Sequence, residues 1–300
     1  GGAFNDFVSH SHIAERFKSN FIYTLLNYDD LGHRHSPIFY IFKSFFLMLG
    51  ETNQKIFFLH LYLLIPFFFY KSLRIIYFKS DKNNLILLST VLLLFPTFRS
   101  YSFWPDPHLL GTLFFIISIY FYSKFLNKKN LFINSILNTI FLALSAYISP
   151  NFGVFVIFFL YEFYVKFKFT NRFIILLIIN LIISLPFFFY LFYFDVSFIS
   201  NIGSWDIGEN IISLKNISNK FLIIISILLF YLLPFFFSKT IKYDVININY
   251  KKNIFYFLIF LFAIFFFDFS YSYNLTNSGG GFFYNLSQLL FKNNALFFIL

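Results

Sequence analysis

Residues 107–126 read PHLLGTLFFIISIYFYSKFL, and the next apolar run, 131–149, reads LFINSILNTIFLALSAYIS. Among Asp, Glu, Lys and Arg, the first holds only Lys124, near its end, and the second holds none. Both runs are continuous rather than alternating with period two, which argues against barrel strands. A helix rises about 1.5 Å per residue, so roughly 20 apolar residues match the hydrocarbon thickness of a bilayer. Both runs are therefore predicted transmembrane helices. Working outward, comparable runs cover 56–78, 84–98, 151–168, 172–194, 220–238 and 253–270, and another begins near 294. The expected fold is all-α, a polytopic transmembrane helix bundle of about eight or nine spans in one domain over 1–300. In it, 1–55 form an external loop with interfacial helices and 56–300 form the bundle. The chain opens on Gly1-Gly2-Ala3 and stops at Phe297-Phe298-Ile299-Leu300 inside an apolar run, so both ends read as cut.

Composition agrees with that reading. Hydrophobic residues make up 59% of the chain and charged residues 12%, with a mean hydropathy of +0.72. Soluble domains hold about 45–50% apolar and about 25% charged residues, so lipid must be part of the solvent here. The 55 Phe residues accompany an Ile/Asn/Lys bias that an AT-rich coding sequence produces, and their number carries no stacking argument. Cysteine is absent, which excludes disulfides, thiolate metal sites and cysteine nucleophiles. The net charge of +10 does not indicate nucleic acid, because the basic residues fall in short clusters between apolar runs. No signal peptide with a cleavage site is visible.

Those clusters orient the chain. Lys71, Arg74, Lys79 and Lys82 lie in one connection, Lys124, Lys128 and Lys129 in the next but one, then Lys166, Lys168 and Arg172, then Lys239, Lys242, Lys251 and Lys252. The alternate connections, 97–107, around 150 and 195–219, hold little beyond Arg99 and Lys215. By the positive-inside rule the first set is cytoplasmic. The expected location is the inner (plasma) membrane, with the N-terminal 55 residues, 97–107, 195–219 and 271–293 on the periplasmic side. Most acids fall on that side: Asp6, Glu15, Asp29, Asp30, Glu51, Asp106, Asp195, Asp206, Glu209 and Asp268. Acids have little influence on insertion, so their skew marks the outer face as the functional one.

Three stretches there could carry chemistry. Residues 5–17 read as an amphipathic helix with Phe7, Ile13, Ala14 and Phe17 on one face, expected to lie in the interface plane. Asp6 and His10 share a face of it at i, i+4, and capping of the helix is the plainer role for Asp6. His10 and His12 point apart, so they do not form a metal pair. Next, His33, Arg34 and His35 precede Ser36-Pro37, a cap and first-turn proline opening an apolar helix through Tyr40 to Leu49-Gly50. An ordinary polar loop and an anion site are both open there. Third, Arg99-Ser100-Tyr101-Ser102-Phe103-Trp104-Pro105-Asp106 is predicted as a loop between spans. Tyr101 and Trp104 suit an interfacial belt. Arg99 and Asp106, ionisable groups at the membrane boundary, form either a structural pair or a ligand site. Glu162, near the cytoplasmic end of its span, reads as structural, snorkelling or pairing with Lys166, and Ser149-Pro150-Asn151 as a tight turn.

Together these pieces resemble the GT-C superfamily of membrane glycosyltransferases, which contains the protein O-mannosyltransferases and the aminoarabinose transferase. Asp6 is similar to the acid early in that family's first external loop. His35-Ser36-Pro37-Ile38-Phe39-Tyr40, running to Gly50, looks like its His/Lys-Pro-Pro-Leu-Tyr stretch, and Arg99 with Asp106 matches the Arg and acid of its second external loop. The match covers residues 1–170. The family's first span is missing, Asp6 stands alone where many relatives have Asp-Glu, and one proline replaces two.

The resemblance implies a sugar on a polyprenyl phosphate as donor and an acceptor lipid, glycan or protein, with inversion at the anomeric carbon. It makes Asp6 the general base. Arg99 becomes the first donor-phosphate ligand, with His33, Arg34 and His35 as alternatives. Asp106 would orient Arg99 or contact the acceptor, and His10 and Tyr40 are substrate-binding or orienting groups. Some relatives use a divalent metal and others none, and no metal ligands are assigned here. A secondary transporter or lipid flippase is the alternative, which would show internal repeats and mid-span charges. A surface-glycan polymerase or ligase and a non-catalytic scaffold complete the field.

Overall fold

Proline and glycine positions set the punctuation of a chain that is otherwise apolar and helical. A computed structural model describes residues 2–31, 35–77, 81–94 and 96–193, and all of these lie in the first of two units, Gly1–Ile202. The expected spans 220–238 and 253–270 and the expected loops 195–219 and 271–293 lie outside the described residues, as do His33 and Arg34. The described elements are helical, with no strand among them.

Helix α1 runs Gly2–Ser19 and α2 Phe21–Leu26, with the Asn20 side chain accepting from the Tyr23 N–H between them. Helix α3, Pro37–Phe46, begins as its sequence requires. Pro37 fills a first-turn position, where no N–H is needed, and Ser36 Oγ accepts from the Ile38 N–H at 3.4 Å. A 3-10 turn carries the chain to Gly50, whose φ of +78° is a conformation that favours glycine.

Helices α4, Glu51–Tyr62, and α5, Leu64–Ile76, form one rod broken at Leu63. Pro66 has no N–H to give the Tyr62 carbonyl four residues back, so the ladder fails there. Helix α6, Lys82–Thr90, passes through a 3-10 turn, Val91–Leu94, to α7, Pro96–Phe103. Pro96 disfavours helical backbone in the residue before it. The expected span over 84–98 is therefore two short helices, which together run back along the α4–α5 rod, α6 beside α5 and α7 beside α4. The expected loop after Arg99 is helical to Phe103.

Helices α8, Pro107–Leu126, α9, Leu131–Ile148, α10, Phe155–Phe167, and α11, Asn171–Tyr193, follow. A 3-10 segment, Pro150–Val154, replaces the expected tight turn before α10. Five helical stretches among the described residues are long and apolar enough to cross a membrane: Glu51–Ile76, Pro107–Leu126, Leu131–Ile148, Pro150–Phe167 and Asn171–Phe188.

Small and polar side chains bring α8 and α9 together. Ser145 Oγ donates to the Gly111 carbonyl at 2.7 Å, and Asn138 Nδ2 donates to the Ser118 carbonyl at 2.9 Å. A Cβ on Gly111 would stand 3.0 Å from Ser149 Cβ and 3.3 Å from the Phe152 ring. Where lipid tails are as apolar as leucine, such close approach and interhelical hydrogen bonds are what hold helices in contact. One apolar cluster joins α1, α3, α4 and α8 through Phe17, Tyr28, Phe39, Tyr40, Phe58, Tyr62 and Leu110. A second joins α8 to α11 through Phe125, Leu142, Phe159, Phe163 and Phe173.

These contacts sort the connections. Ser149 lies beside Gly111 and His108, while Phe167 packs on Phe125 and Phe132. The start of α8 and the end of α9 thus share one end of the molecule. The 126–131 and 167–171 connections share the other.

Candidate functional site

Phe7, Ile13, Ala14 and Phe17 are buried on one face of α1, as their spacing predicts. That face meets α3 rather than lipid, because Phe39, Tyr40 and Lys43 of α3 supply an apolar surface for it. His10 shares the buried face and is 5% exposed, while His12 points outward. Asp6 is exposed in the body of a helix that begins at Gly2, so it is not the cap.

His10 is the hub of the site. Its Nδ1 lies 3.1 Å from the Tyr40 hydroxyl, and its Nε2 lies 3.6 Å from Asp106 Oδ2. Asp106 is 4% exposed, and its other oxygen accepts the His108 N–H at 2.7 Å, capping α8. The Asp106 carbonyl accepts from the Tyr62 hydroxyl at 3.2 Å. One residue thus starts a helix, anchors α4 and faces the α1 histidine. The expected role of Asp106 in orienting Arg99 is not what the structure shows. Its carboxylate turns to His10, while Arg99 stands exposed on α7 and makes no ion pair among the described residues.

The Tyr40 phenol is held in its neutral form. Burial, and then the charge of Asp106, push its phenol well above the ordinary range, so it keeps its proton. The Tyr40 hydroxyl pairs with Nδ1, while Nε2, 3.6 Å from the Asp106 carboxylate, is buried with no hydrogen-bond partner among the described residues. Carboxylate, imidazole and phenol thus stand in a row in which the imidazole and the phenol share the one hydrogen bond. The Tyr28 hydroxyl donates to the His35 carbonyl and so ties the end of the preceding loop to the same cluster.

His35 and His108 stand next to this row. The His35 ring is 5.5 Å from His10 and 5.1 Å from His108, edge to face in both pairs, and His108 Nδ1 lies 3.4 Å from Ser149 Oγ. His108 is exposed and His35 half-buried. Trp104 closes the flank, 5.0 Å from the Phe4 ring and 5.3 Å from Phe7, with Lys55 Nζ 3.9 Å over its face. Asp6 is exposed on α1, and its charge acts on the Tyr40 phenol in the same sense as that of Asp106.

Lys43, His108 and Tyr62 have no role in the sequence reading. Lys43 lies at 0% exposure beneath α1, its Nζ donating to Ser11 Oγ at 2.9 Å and the Phe7 carbonyl at 3.3 Å, and 4.1 Å over the Phe7 ring. Burial pulls its ammonium from 10.5 down to about 7. The signal was present as a lone lysine inside the apolar run PIFYIFKSFFLML, since an ionisable residue in such a run has to find partners.

Among the described residues no group of three or more His, Cys, Asp or Glu side chains has the geometry to hold a metal ion. No protein-family model, curated protein or solved structure matches this chain.

Proposed function

We propose that the chain transfers a sugar from a polyprenyl-phosphate donor to an acceptor at the outer, periplasmic face of the inner membrane, with inversion. The observation that carries this reading is the docking of α1 through His10 onto Asp106. It gathers Asp106, His35 and His108 at one end of the helices, the end at which α7 carries Arg99, with the exposed carboxylate of Asp6 near enough for its charge to act on Tyr40.

In this reading Asp6 takes the proton of the acceptor hydroxyl as it attacks the anomeric carbon and the bond to the lipid phosphate breaks. General-base assistance supplies about 10²–10⁴-fold. The phosphate leaves as an anion and needs donors placed beforehand. Arg99, His35 and, new to the reading, His108 are the side chains for it, with His33 and Arg34 lying outside the described residues. Asp106, His10 and Tyr40 are too buried to meet substrate, and they hold α1 in place as positioning residues.

A transporter receives one specific support, since both the 51–76 and the 82–103 rods are broken by proline. The breaks, Tyr62–Pro66 and Val91–Pro96, carry no charged side chain, whereas broken transporter helices coordinate ions or charged substrates there. The transferase is the better supported.

The test is Asp6→Asn in full-length protein supplied with radiolabelled polyprenyl-phosphate sugar. Transfer is expected to fall by about 10²-fold or more. Wild-type transfer removes Asp6 as the base.

A further inference from the structure

At the end of the molecule opposite the histidines, α9 begins, α10 ends and α11 begins around a cleft of about 630 Å³. Its walls are Leu131, Lys166, Phe167, Thr170, Asn171 and Arg172. We infer that this cleft binds the phosphodiester headgroup of an anionic phospholipid of the cytoplasmic leaflet.

Charge is the first reason. Lys166 and Arg172 face the cleft from two helices, and Lys128, Lys129 and Lys168 stand in the connections at the same end. None of these five makes an ion pair with Asp or Glu among the described residues. The acid that sequence spacing offers to Lys166 is Glu162, and its carboxylate is occupied instead by the Tyr122 hydroxyl at 3.0 Å. The cleft is therefore cationic, with a hydroxyl from Thr170 and an amide from Asn171 to complete the coordination of phosphate oxygens.

The second reason selects a lipid over a soluble phosphate. The cleft floor includes Leu131 and Phe167, and the two helices that border it carry apolar surface away from it. Ile157, Tyr161 and Val165 of α10 and Ile175, Ile178 and Leu181 of α11 are all exposed. A headgroup held by Lys166 and Arg172 would lay its acyl chains along that surface, which water would not tolerate bare. Basic pockets between membrane helices on the positive side are where acidic headgroups bind. The site is distinct from the transfer chemistry, which lies at the other end.

The experiment uses the full chain in nanodiscs of phosphatidylcholine with a minor fraction of phosphatidylglycerol, followed by native mass spectrometry of the lipids retained. The wild type is expected to retain phosphatidylglycerol in preference to phosphatidylcholine. Lys166→Ala with Arg172→Ala is expected to lower that preference about 30-fold, about five-fold for each charge. Arg16→Ala with Lys18→Ala, at the histidine end, is expected to leave it unchanged. Equal retention by the wild type and the Lys166/Arg172 variant overturns the site. So does an equal loss from the Arg16/Lys18 variant, which would show a general surface-charge effect. Displacement of the lipid by soluble glycerol phosphate at equal concentration would assign the cleft to a soluble phosphate instead.

Discussion

Replacing Lys43 by Met tests the packing that fixes the site. Lys43 carries its ammonium beneath α1, where burial lowers it from 10.5 to about 7, while Asp106, Glu15 and Glu51 draw it up and Lys55 pushes it down. When α1 detaches, Lys43 returns to water and its ordinary value. Below pH 7 the lysine is charged in both states, and the docked state bears the whole penalty of a buried charge. Between pH 7 and about 10.4 the docked state has released its proton while the detached state still holds one, so docking strengthens as pH rises. At about 1.4 kcal/mol per pH unit, the wild type should gain on the order of 4 kcal/mol between pH 6 and pH 10. Methionine has a similar volume and no charge, and Ser11 Oγ still donates to the Phe7 carbonyl at 2.8 Å, so no donor is orphaned. The variant should be the more firmly docked at pH 6, and the gap should shrink toward pH 10. Any packing that methionine fails to reproduce costs the same at pH 6 as at pH 10 and leaves that trend intact. Trp104 fluorescence in detergent, in a Trp205→Phe background, reads the equilibrium, because Trp104 touches Phe4 and Phe7 of α1. A gap independent of pH refutes the burial of a charge under α1.

Two further outcomes are expected. Asp106→Asn keeps an oxygen for the His108 N–H and so keeps the α8 cap, but it sets an amide against His10 Nε2. It should lower thermal stability by about 1–3 kcal/mol in detergent melts and reduce sugar transfer in the radiolabel assay, and an unchanged variant would show that the 3.6 Å pair has no role. Gly111→Leu drives a side chain into Ser149 and Phe152, where even a Cβ meets atoms at 3.0 Å. A loss of roughly 1–3 kcal/mol by overpacking is expected in the same melts, and a neutral result would place α8 and α9 further apart than described.

The helical architecture was legible because each apolar run between loops decides its own state in lipid, where only a helix satisfies its backbone alone. The run 107–126 is such a case, and its boundaries agree with the structure. The proline interruptions were harder to read. Pro66 and Pro96 sit inside runs whose hydropathy is continuous, and hydropathy does not register a missing N–H. The helix over 5–17 and its buried face were also legible, since four apolar residues at helical spacing need a surface to cover them. That the surface is α3 and not lipid depends on a second segment, which periodicity does not specify.

By itself, then, the sequence determined the all-helical state, the apolar stretches fit for a bilayer, the Ser36-Pro37 start of α3 and the apolar face of α1, because each rests on residues a few positions apart. Only the tertiary structure decided that His10 faces Asp106 across 96 positions, that Lys43 lies under α1, and that His35 stands against His108. Those pairings depend on which helices pack together, and a buried polar group takes the partner that packing leaves within reach, not the one nearest in sequence.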